Sequence, residues 1–367
     1  MKYYILAGEA SGDLHGANLI KALKKNDSDA MIRCWGGDLM EKAGAALVIH
    51  YKNRSFMGFL EVLLNIFKIL KFIKFCKKDI QDFHPDKIIF IDNSGFNLRI
   101  AKWAKKNNYQ TNYYISPQIW ASRQHRVEAI KRDIDQMFVI LPFEKYFYKK
   151  FNYEVSFVGH PLLDEINNLK KVDEASFRAR NNLSDKPIVA LLPGSRKQEI
   201  KKILGVMLEL TNDFDDYHFV IAGAPSQNYE FYKKIIGQRE VAYVAGQTYD
   251  LLACSYLALV ASGTATLEAA LLRVPQIVCY KTSWLSYQIG KRIVKLKFIS
   301  LVNLIMDKEV VKELIQDNFT KKNLLQSFLA LLDDKKRNEI LKTYTEIEEK
   351  LGSVGASENV AKQLLKG

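Results

Sequence analysis

The chain has 367 residues, of which 48% are hydrophobic and 26% charged, with a formal net charge of +13. That length suits two domains better than one core, and the composition is that of a globular protein. No charge-free apolar run of about 18 residues exists, and the opening apolar run of about six residues before Gly8 is too short for a signal peptide, so neither a spanning helix nor export is supported. A cytoplasmic location is therefore expected. The excess of Lys and Arg points either to an anionic partner or to a general bias toward lysine spread along helices. Cys34, Cys76, Cys254 and Cys279 are scattered, with no paired spacing and no histidine cluster, so they read as small buried hydrophobes rather than metal ligands.

In chain order, 2–7, 31–35, 87–91, 111–115, 136–141 and 155–159 read as strands, followed by 187–192, 218–223, 241–246, 256–262 and 275–280. Most are apolar on both faces, as parallel sheets covered by helices require. Helical patterns separate them, which predicts βα units and an α/β fold of two doubly wound domains. The ligand cleft is then expected at the carboxyl ends of strands. After Pro275 the pattern is helical around 283–296, 308–316, 320–332, 335–351 and 356–366. The polar stretch 167–186 marks a boundary. It predicts one domain over 1–166 and a second over 167–340, followed by helices over 341–367.

The loop SGTATLE (262–268) follows an apolar strand and opens a helix. Gly263 permits close backbone approach, and Thr264, Ala265 and Thr266 would present free N–H groups at the positive helix end, a phosphate site on physical grounds. Glu268, one turn on, suits ribose hydroxyls; an ordinary capped βα turn is the plainer alternative. LLPGSR (191–196) repeats this geometry, with Gly194 and Ser195 before Arg196, whose guanidinium suits phosphate oxygens unless Glu199 holds it. Gly223 and Gln247 end neighbouring strands and are expected to wall a base pocket, together with Ser262 before the turn.

In the first half, GEASGDLHG (8–16) is not a dinucleotide fingerprint but offers Glu9, Ser11, Asp13 and His15. Capping by Ser11 or Asp13 is an equal possibility. In IDNSGFN (91–97), Asp92 sits at a strand's carboxyl end, where a partly desolvated carboxylate suits a general base, or else caps the next turn. Glu9, Asp13 and His15 are rival bases.

These motifs, with SPQIWASRQHR (116–126), LPFE (141–144), VGHPL (158–162) and SLVNLI (300–305), together resemble the lipid-A-disaccharide synthase family across nearly the whole chain. The resemblance implies the GT-B architecture, two Rossmann-like halves facing across a cleft with a C-terminal helix crossing back to the first. It implies inverting transfer of 2,3-diacylglucosamine from its UDP derivative to 2,3-diacylglucosamine 1-phosphate (lipid X), giving a β-1′,6 disaccharide and UDP, without metal or other cofactor. Functional positions of the family fall on Asp92, Arg196, Glu268 and Asn303. Ser94 and Val302 stand where the family often has proline.

The segment 56–78 is the most apolar, with Lys68, Lys71, Lys74 and Lys78 on one stripe, and suits a helix in a bilayer interface or one packed on the first sheet. Met57, Phe59, Leu60 and Leu63 are candidate acyl-chain contacts there. Trp284, Tyr287, Lys291, Arg292, Lys295 and Lys297 make a second basic, aromatic patch for anionic headgroups. Arg123 and Arg126 are candidates for the acceptor phosphate. His160 reads as a hinge histidine. The expected partners are thus the two acylated sugars and the cytoplasmic face of the inner membrane, with a homodimer left open. Nucleic acid is disfavoured because no aromatic stacking cluster lies in a basic groove. Another UDP-sugar enzyme, a peptidoglycan lipid glycosyltransferase or an epimerase, is the nearest rival function.

Overall fold

Short strands buried on both faces and joined by helices favour parallel pairing, and each half of the chain pairs so in the computed structural model, which describes residues 1–54, 66–294 and 296–366. In the first half, β1 (Lys2–Ala7), β2 (Met31–Gly36), β3 (Ala46–His50), β4 (Lys87–Ile91), β5 (Gln110–Tyr114), β6 (Gln136–Val139) and β7 (Ser156–Phe157) form one sheet in the order β3-β2-β1-β4-β5-β6-β7. In the second, β8 (Ile188–Leu192), β9 (His218–Gly223), β10 (Ala242–Ala245), β11 (Ser255–Ala261), β12 (Gln276–Tyr280) and β13 (Lys312–Ile315) follow the order β10-β9-β8-β11-β12-β13. Both sheets are doubly wound. The strand order reverses direction between β1 and β4 in one and between β8 and β11 in the other.

The chain divides into two compact units, Met1–Asp164 with Leu351–Gly367, and Glu165–Lys350. The expected break at 341 falls inside the Asp334–Lys350 helix, which belongs to the second unit; the chain rejoins the first unit at Leu351. The helix Ala356–Lys366 then packs on Ala10–Asn26. Val360, Ala361 and Leu364 are fully buried in the first core beside Leu19, Ile20 and Leu23, each worth roughly 1.5–3 kcal/mol of burial for the larger side chains. Asn26 donates to Glu358 at 3.1 Å, and the Lys87 ammonium donates to the Leu364 carbonyl.

Two strands depart from the sequence reading. Residues 308–316 read as helix, yet Lys312–Ile315 pairs in parallel with β12. Only Leu314 of that strand is fully buried, so an edge strand with charged residues mimics a helical period. β3 is likewise a half-buried edge strand, too short and too mixed to stand out. The Ile66–Phe83 helix buries Cys76, Asp79 and Ile80 against the first sheet, where Arg33 grips Asp79 with two hydrogen bonds of 2.6 and 3.1 Å. Its outer face leaves Phe67 77% and Leu70 52% exposed beside exposed Lys68, Lys71, Lys74 and Lys78. Among the described residues no helix is long and apolar enough to cross a membrane.

Candidate active site

Doubly wound sheets open a crevice where the strand order reverses, because the loops on either side of that point run to opposite faces. In the second unit this point lies between the loops after β8 and β11. A cavity of about 400 Å³ sits there, lined by Gly194, Ser195, Gly223, Ser262, Gly263, Thr264, Ala265 and Glu268 among others, and within the usual size of a small-molecule site. Small residues keep it open. At Gly223 a Cβ would lie 2.2 Å from the Tyr243 hydroxyl, and at Gly194, with φ +102°, it would lie 2.3 Å from the Glu199 carboxylate. At Gly263 it would meet nothing within 4 Å among the described residues, which leave that space unfilled.

The loop after β11 is anchored from behind. The Thr266 hydroxyl donates to the Gly263 carbonyl at 2.8 Å, and the Ser262 hydroxyl donates to the Ile299 carbonyl at 2.9 Å. Ile299 and Ser300 in turn donate their amides to the Glu313 carboxylate, both at 2.9 Å. Asn303 fixes Glu313. Its amide nitrogen donates to Glu313 and to the Val311 carbonyl, both at 2.9 Å, while its oxygen accepts the Val310 and Val311 amides at 2.8 and 3.0 Å. All four of its hydrogen-bonding positions are thus used and the residue is fully buried, so the expectation of a catalytic Asn303 is corrected to a structural one. It braces the cavity loop through Glu313.

Other expected members of this site are placed as follows. Arg196 is exposed at the start of the Lys197–Met207 helix, and Glu199 accepts the Ser195 amide at 3.2 Å instead of pairing with it. Gln247 does not face the cavity: its side-chain amide is paired reciprocally with that of Asn181, both contacts at 3.3 Å, and its neighbour Thr248 lines the space. Glu268 is half-buried, and its carboxyl is pushed up to about 7 by burial first and by the charge of Glu165 second. The Tyr249 hydroxyl lies 3.4 Å from Glu268 and 3.3 Å from Glu165. Thr248 and Tyr249 stand in the stretch 244–253 that the sequence brings to notice; Glu165 carries no signal there, because its partner is 84 residues away.

In the first unit the reversal point lies between the loops after β1 and β4. Asp92 and Asn93 both take left-handed backbone, at φ 45° and 44°, a conformation that Asp and Asn tolerate best among residues with a Cβ. The carbonyl of Asp92 is held by the Tyr113 hydroxyl and by the Asn97 side-chain amide at 2.9 Å. The Asn93 side chain lies over Gly8, where a Cβ would come within 2.0 Å of its nitrogen, so the two loops are in contact. Burial, and secondarily the charge of Glu9, raises the Asp92 carboxyl to about 6 against a weaker opposing hydrogen bond from the Asn93 amide. This turn aims a partly dehydrated carboxylate out of the strand end, beside exposed Glu9 and Ser11.

Asp13 does not join them. It is buried and accepts the amides of Gly37, Leu39 and Met40 at 2.7, 3.1 and 3.1 Å, capping the Asp38–Lys42 helix, which removes it both as a base and as an acceptor contact. Burial lowers His15 to about 4 and His160 to about 3, so both are neutral at pH 7, and the Nδ1 of His160 accepts the Leu162 amide at 3.2 Å. Arg123 is exposed and Arg126 half-buried. Burial, then repulsion from Arg123 and from Arg99, lowers the Arg126 guanidinium, so Arg99 joins a cluster that sequence reasoning had limited to two arginines. Met57, Phe59, Leu60 and Leu63 lie outside the described residues.

Two doubly wound parallel sheets, each with chemistry at its reversal point and one with an open glycine-lined cavity, define the GT-B class of nucleotide-sugar enzymes. The solved structures agree in fold: UDP-GlcNAc 2-epimerase from Neisseria meningitidis, bound to UDP-GlcNAc, matches with a TM-score of 0.72 at 16% identity over 100% of both chains. A glycosyltransferase from Rickettsia africae matches at 0.62 and 13% identity over 100% of this chain and 99% of that one. Sequence narrows the class. The family model for lipid-A-disaccharide synthetase matches residues 3–365. The lipid-A-disaccharide synthase of Syntrophus aciditrophicus is 40% identical over 97% of this chain and 95% of its own length, and that of Coxiella burnetii 35% over 98% and 96%. The chain belongs to the lipid-A-disaccharide synthase family and is a glycosyltransferase.

Proposed function

We propose that the protein transfers 2,3-diacylglucosamine from UDP-2,3-diacylglucosamine to the 6-hydroxyl of lipid X with inversion, releasing UDP. The observation that carries this reading is the cavity at the β8–β11 reversal point. Its size suits a nucleoside diphosphate, and its lining combines an unfilled Gly263 turn with a carboxyl group one helical turn away. The N–H groups of Thr264 and Ala265 suit the diphosphate, the exposed Arg196 is free to swing toward it, and Glu268 suits the ribose hydroxyls. Thr266, fully buried with its amide and hydroxyl both given to the Gly263 carbonyl, drops out of the expected set.

In the transfer, Asp92 takes the proton of the acceptor hydroxyl as its oxygen bonds to the anomeric carbon. The bond from that carbon to the UDP oxygen breaks, and the Gly263 turn and Arg196 stabilise the departing charge. A carboxyl near 6 is ionised at neutral pH and still basic enough to help. Glu9 and His15, the latter neutral at pH 7, are the remaining rival bases. Arg126, with Arg99 and Arg123 each close enough to repel it, suits the acceptor's 1-phosphate together with them.

The outer face of the Ile66–Phe83 helix, with exposed Phe67 and Leu70 among lysines, supports docking on an anionic membrane, the cytoplasmic face of the inner membrane in this reading. The test is incubation of the protein with both acylated glucosamines and mass measurement of the product. A disaccharide monophosphate is expected; its absence, or conversion of the UDP-sugar without the acceptor, overturns the reading.

A further inference from the structure

The second unit carries a helix that the transfer does not use. Trp284–Ile293 has ten residues, begins where the Ser283 hydroxyl accepts the Ser286 amide at 3.2 Å, and depends on packing for stability, as any helix this short does. Yet none of its described residues is buried. Trp284 is 70% and Ile293 48% exposed, and Lys291, Arg292 and Val294 are exposed with them. Trp284, Tyr287 and Lys291 are spaced i, i+3 and i+7, so they share one face, and Arg292 flanks it.

The charge around this helix has one sign. From Ala269 to Met306 the chain has Arg273, Lys281, Lys291, Arg292, Lys295 and Lys297 and no Asp or Glu. Glu313, which meets the segment from β13, is taken up by the amides of Ile299 and Ser300, the Ser300 hydroxyl and Asn303. A second copy fits this face poorly, because a two-fold contact sets a patch against itself and would bring Lys291 and Arg292 near their own kind. Nucleic acid would leave Ile293 and Val294 in water and finds one strongly exposed ring rather than a stacking track. An anionic bilayer surface suits every group: the indole at headgroup depth, the aliphatic side chains below it, and the cations against lipid phosphates.

We propose that the Trp284–Ile293 helix is a membrane contact of the second unit, separate from the Ile66–Phe83 helix of the first, and that its partner is an anionic lipid surface. The helix is tied to the nucleotide cavity. The Ile299 carbonyl that follows it accepts the Ser262 hydroxyl at 2.9 Å, and Tyr280 before it lies within electrostatic reach of cavity-lining Glu199, of Arg196 and of Tyr287. Docking here sets the rim of the cavity beside the lipid surface from which an acylated sugar nucleotide has to be drawn. That consequence rests on the proposed donor; the contact itself does not.

The experiment uses the full-length protein, without sugar substrates, and phosphatidylcholine vesicles with and without phosphatidylglycerol. Sedimentation reads binding, and quenching by phosphatidylcholine brominated on its acyl chains reads whether a tryptophan reaches the lipid. Of the four tryptophans Trp35 and Trp120 are buried and Trp103 is half-buried, so the difference between wild type and Trp284→Phe isolates Trp284. Expected are binding that requires phosphatidylglycerol, quenching of Trp284 at saturating vesicles, and loss of that quenching in Trp284→Phe, which still binds. Lys291→Glu with Arg292→Glu, its fold checked by thermal unfolding, weakens vesicle partition by about 20-fold or more, at about fivefold for each cation withdrawn from an anionic surface. Vesicle binding that leaves Trp284 unquenched and the double variant unaffected overturns this proposal and leaves docking by the Ile66–Phe83 helix standing. No vesicle binding at all overturns both. A shift of Trp284 emission on concentrating the protein without lipid assigns the face to a second copy, and a shift on adding an oligonucleotide assigns it to nucleic acid; either overturns the proposal.

Discussion

The two sheets share one topology at their reversal points and put different chemistry there. After β1 and β4 the loops are short, touch one another through Gly8 and Asn93, and end in carboxylates, Glu9 and the strained Asp92. After β8 and β11 the loops carry glycines and hydroxyls and leave a cavity of about 400 Å³. The same position in the same architecture thus supplies a raised carboxyl in one unit and a ligand-sized space in the other. Topology decides where chemistry can sit; the few residues after each strand decide what it is. The acids withdrawn from solvent show the same contrast. Asp13 accepts three donors and Glu313 four, and both serve as structure, whereas Asp92 and Glu268 are pushed upward by burial and by a neighbouring carboxylate.

That contrast is open to attack by substitution. The largest expected effect is on turnover: Asp92→Asn lowers kcat by about 10³-fold in steady-state assays with both sugars saturating. Near-normal turnover would shift the base to Glu9 or His15. Next comes stability. Asn303→Ala unfolds the protein about 3 kcal/mol more readily in urea, because it strands the Val310 and Val311 amides and loosens Glu313. The surviving folded fraction keeps its kcat, whereas a catalytic Asn303 would lose turnover without losing stability. Asp13→Ala costs a similar amount, about 2–3 kcal/mol, with the same sparing of kcat.

The smallest effects are in pH dependence. Because the folded-state carboxyl of Asp92 stands near 6, above its ordinary value, the folded protein binds more protons than the unfolded chain between about pH 4 and 6. Its ionisation therefore lowers stability as pH rises through that window. Asp92→Asn is expected to raise Tm at pH 8 by a few degrees and to leave it unchanged near pH 4; a pH-independent Tm difference would contradict the raised carboxyl. Activity runs the other way, falling as pH drops through about 6.

How much of this was legible in the sequence follows from the range of the interactions involved. The strands ending at Ala7, Ile91, Leu192, Gly223 and Ala261 are apolar on both faces and announce themselves, and the loops after four of them carry the glycines and acids that draw attention. Asp13 was ambiguous because a first-turn acid on a helix faces either solvent or a neighbouring loop, and only the fold brings the Gly37 amide to it. Gln247 misled for a similar reason: a glutamine after a strand looks available until Asn181, 66 residues earlier, is seen to pair with it. Asn303 lies in a motif that marks the family, yet its side-chain partners are the Val310 and Val311 backbone and the Glu313 carboxylate, only seven to ten residues away. The strand Lys312–Ile315 was hidden because an edge position asks for one buried side chain, too few to show a period of two. Glu165 was invisible because the phenol and the carboxyl group near it come from two other helices, far along the chain.

The division of labour between the two reversal points is tested most directly by equilibrium binding of UDP to three proteins: wild type, Asp92→Asn and Glu268→Gln. The account predicts that Asp92→Asn binds within about twofold of wild type although its turnover is gone, and that Glu268→Gln binds about tenfold or more weakly, the worth of hydrogen bonds to a charged acceptor. Loss of UDP binding in Asp92→Asn with retention in Glu268→Gln would contradict it.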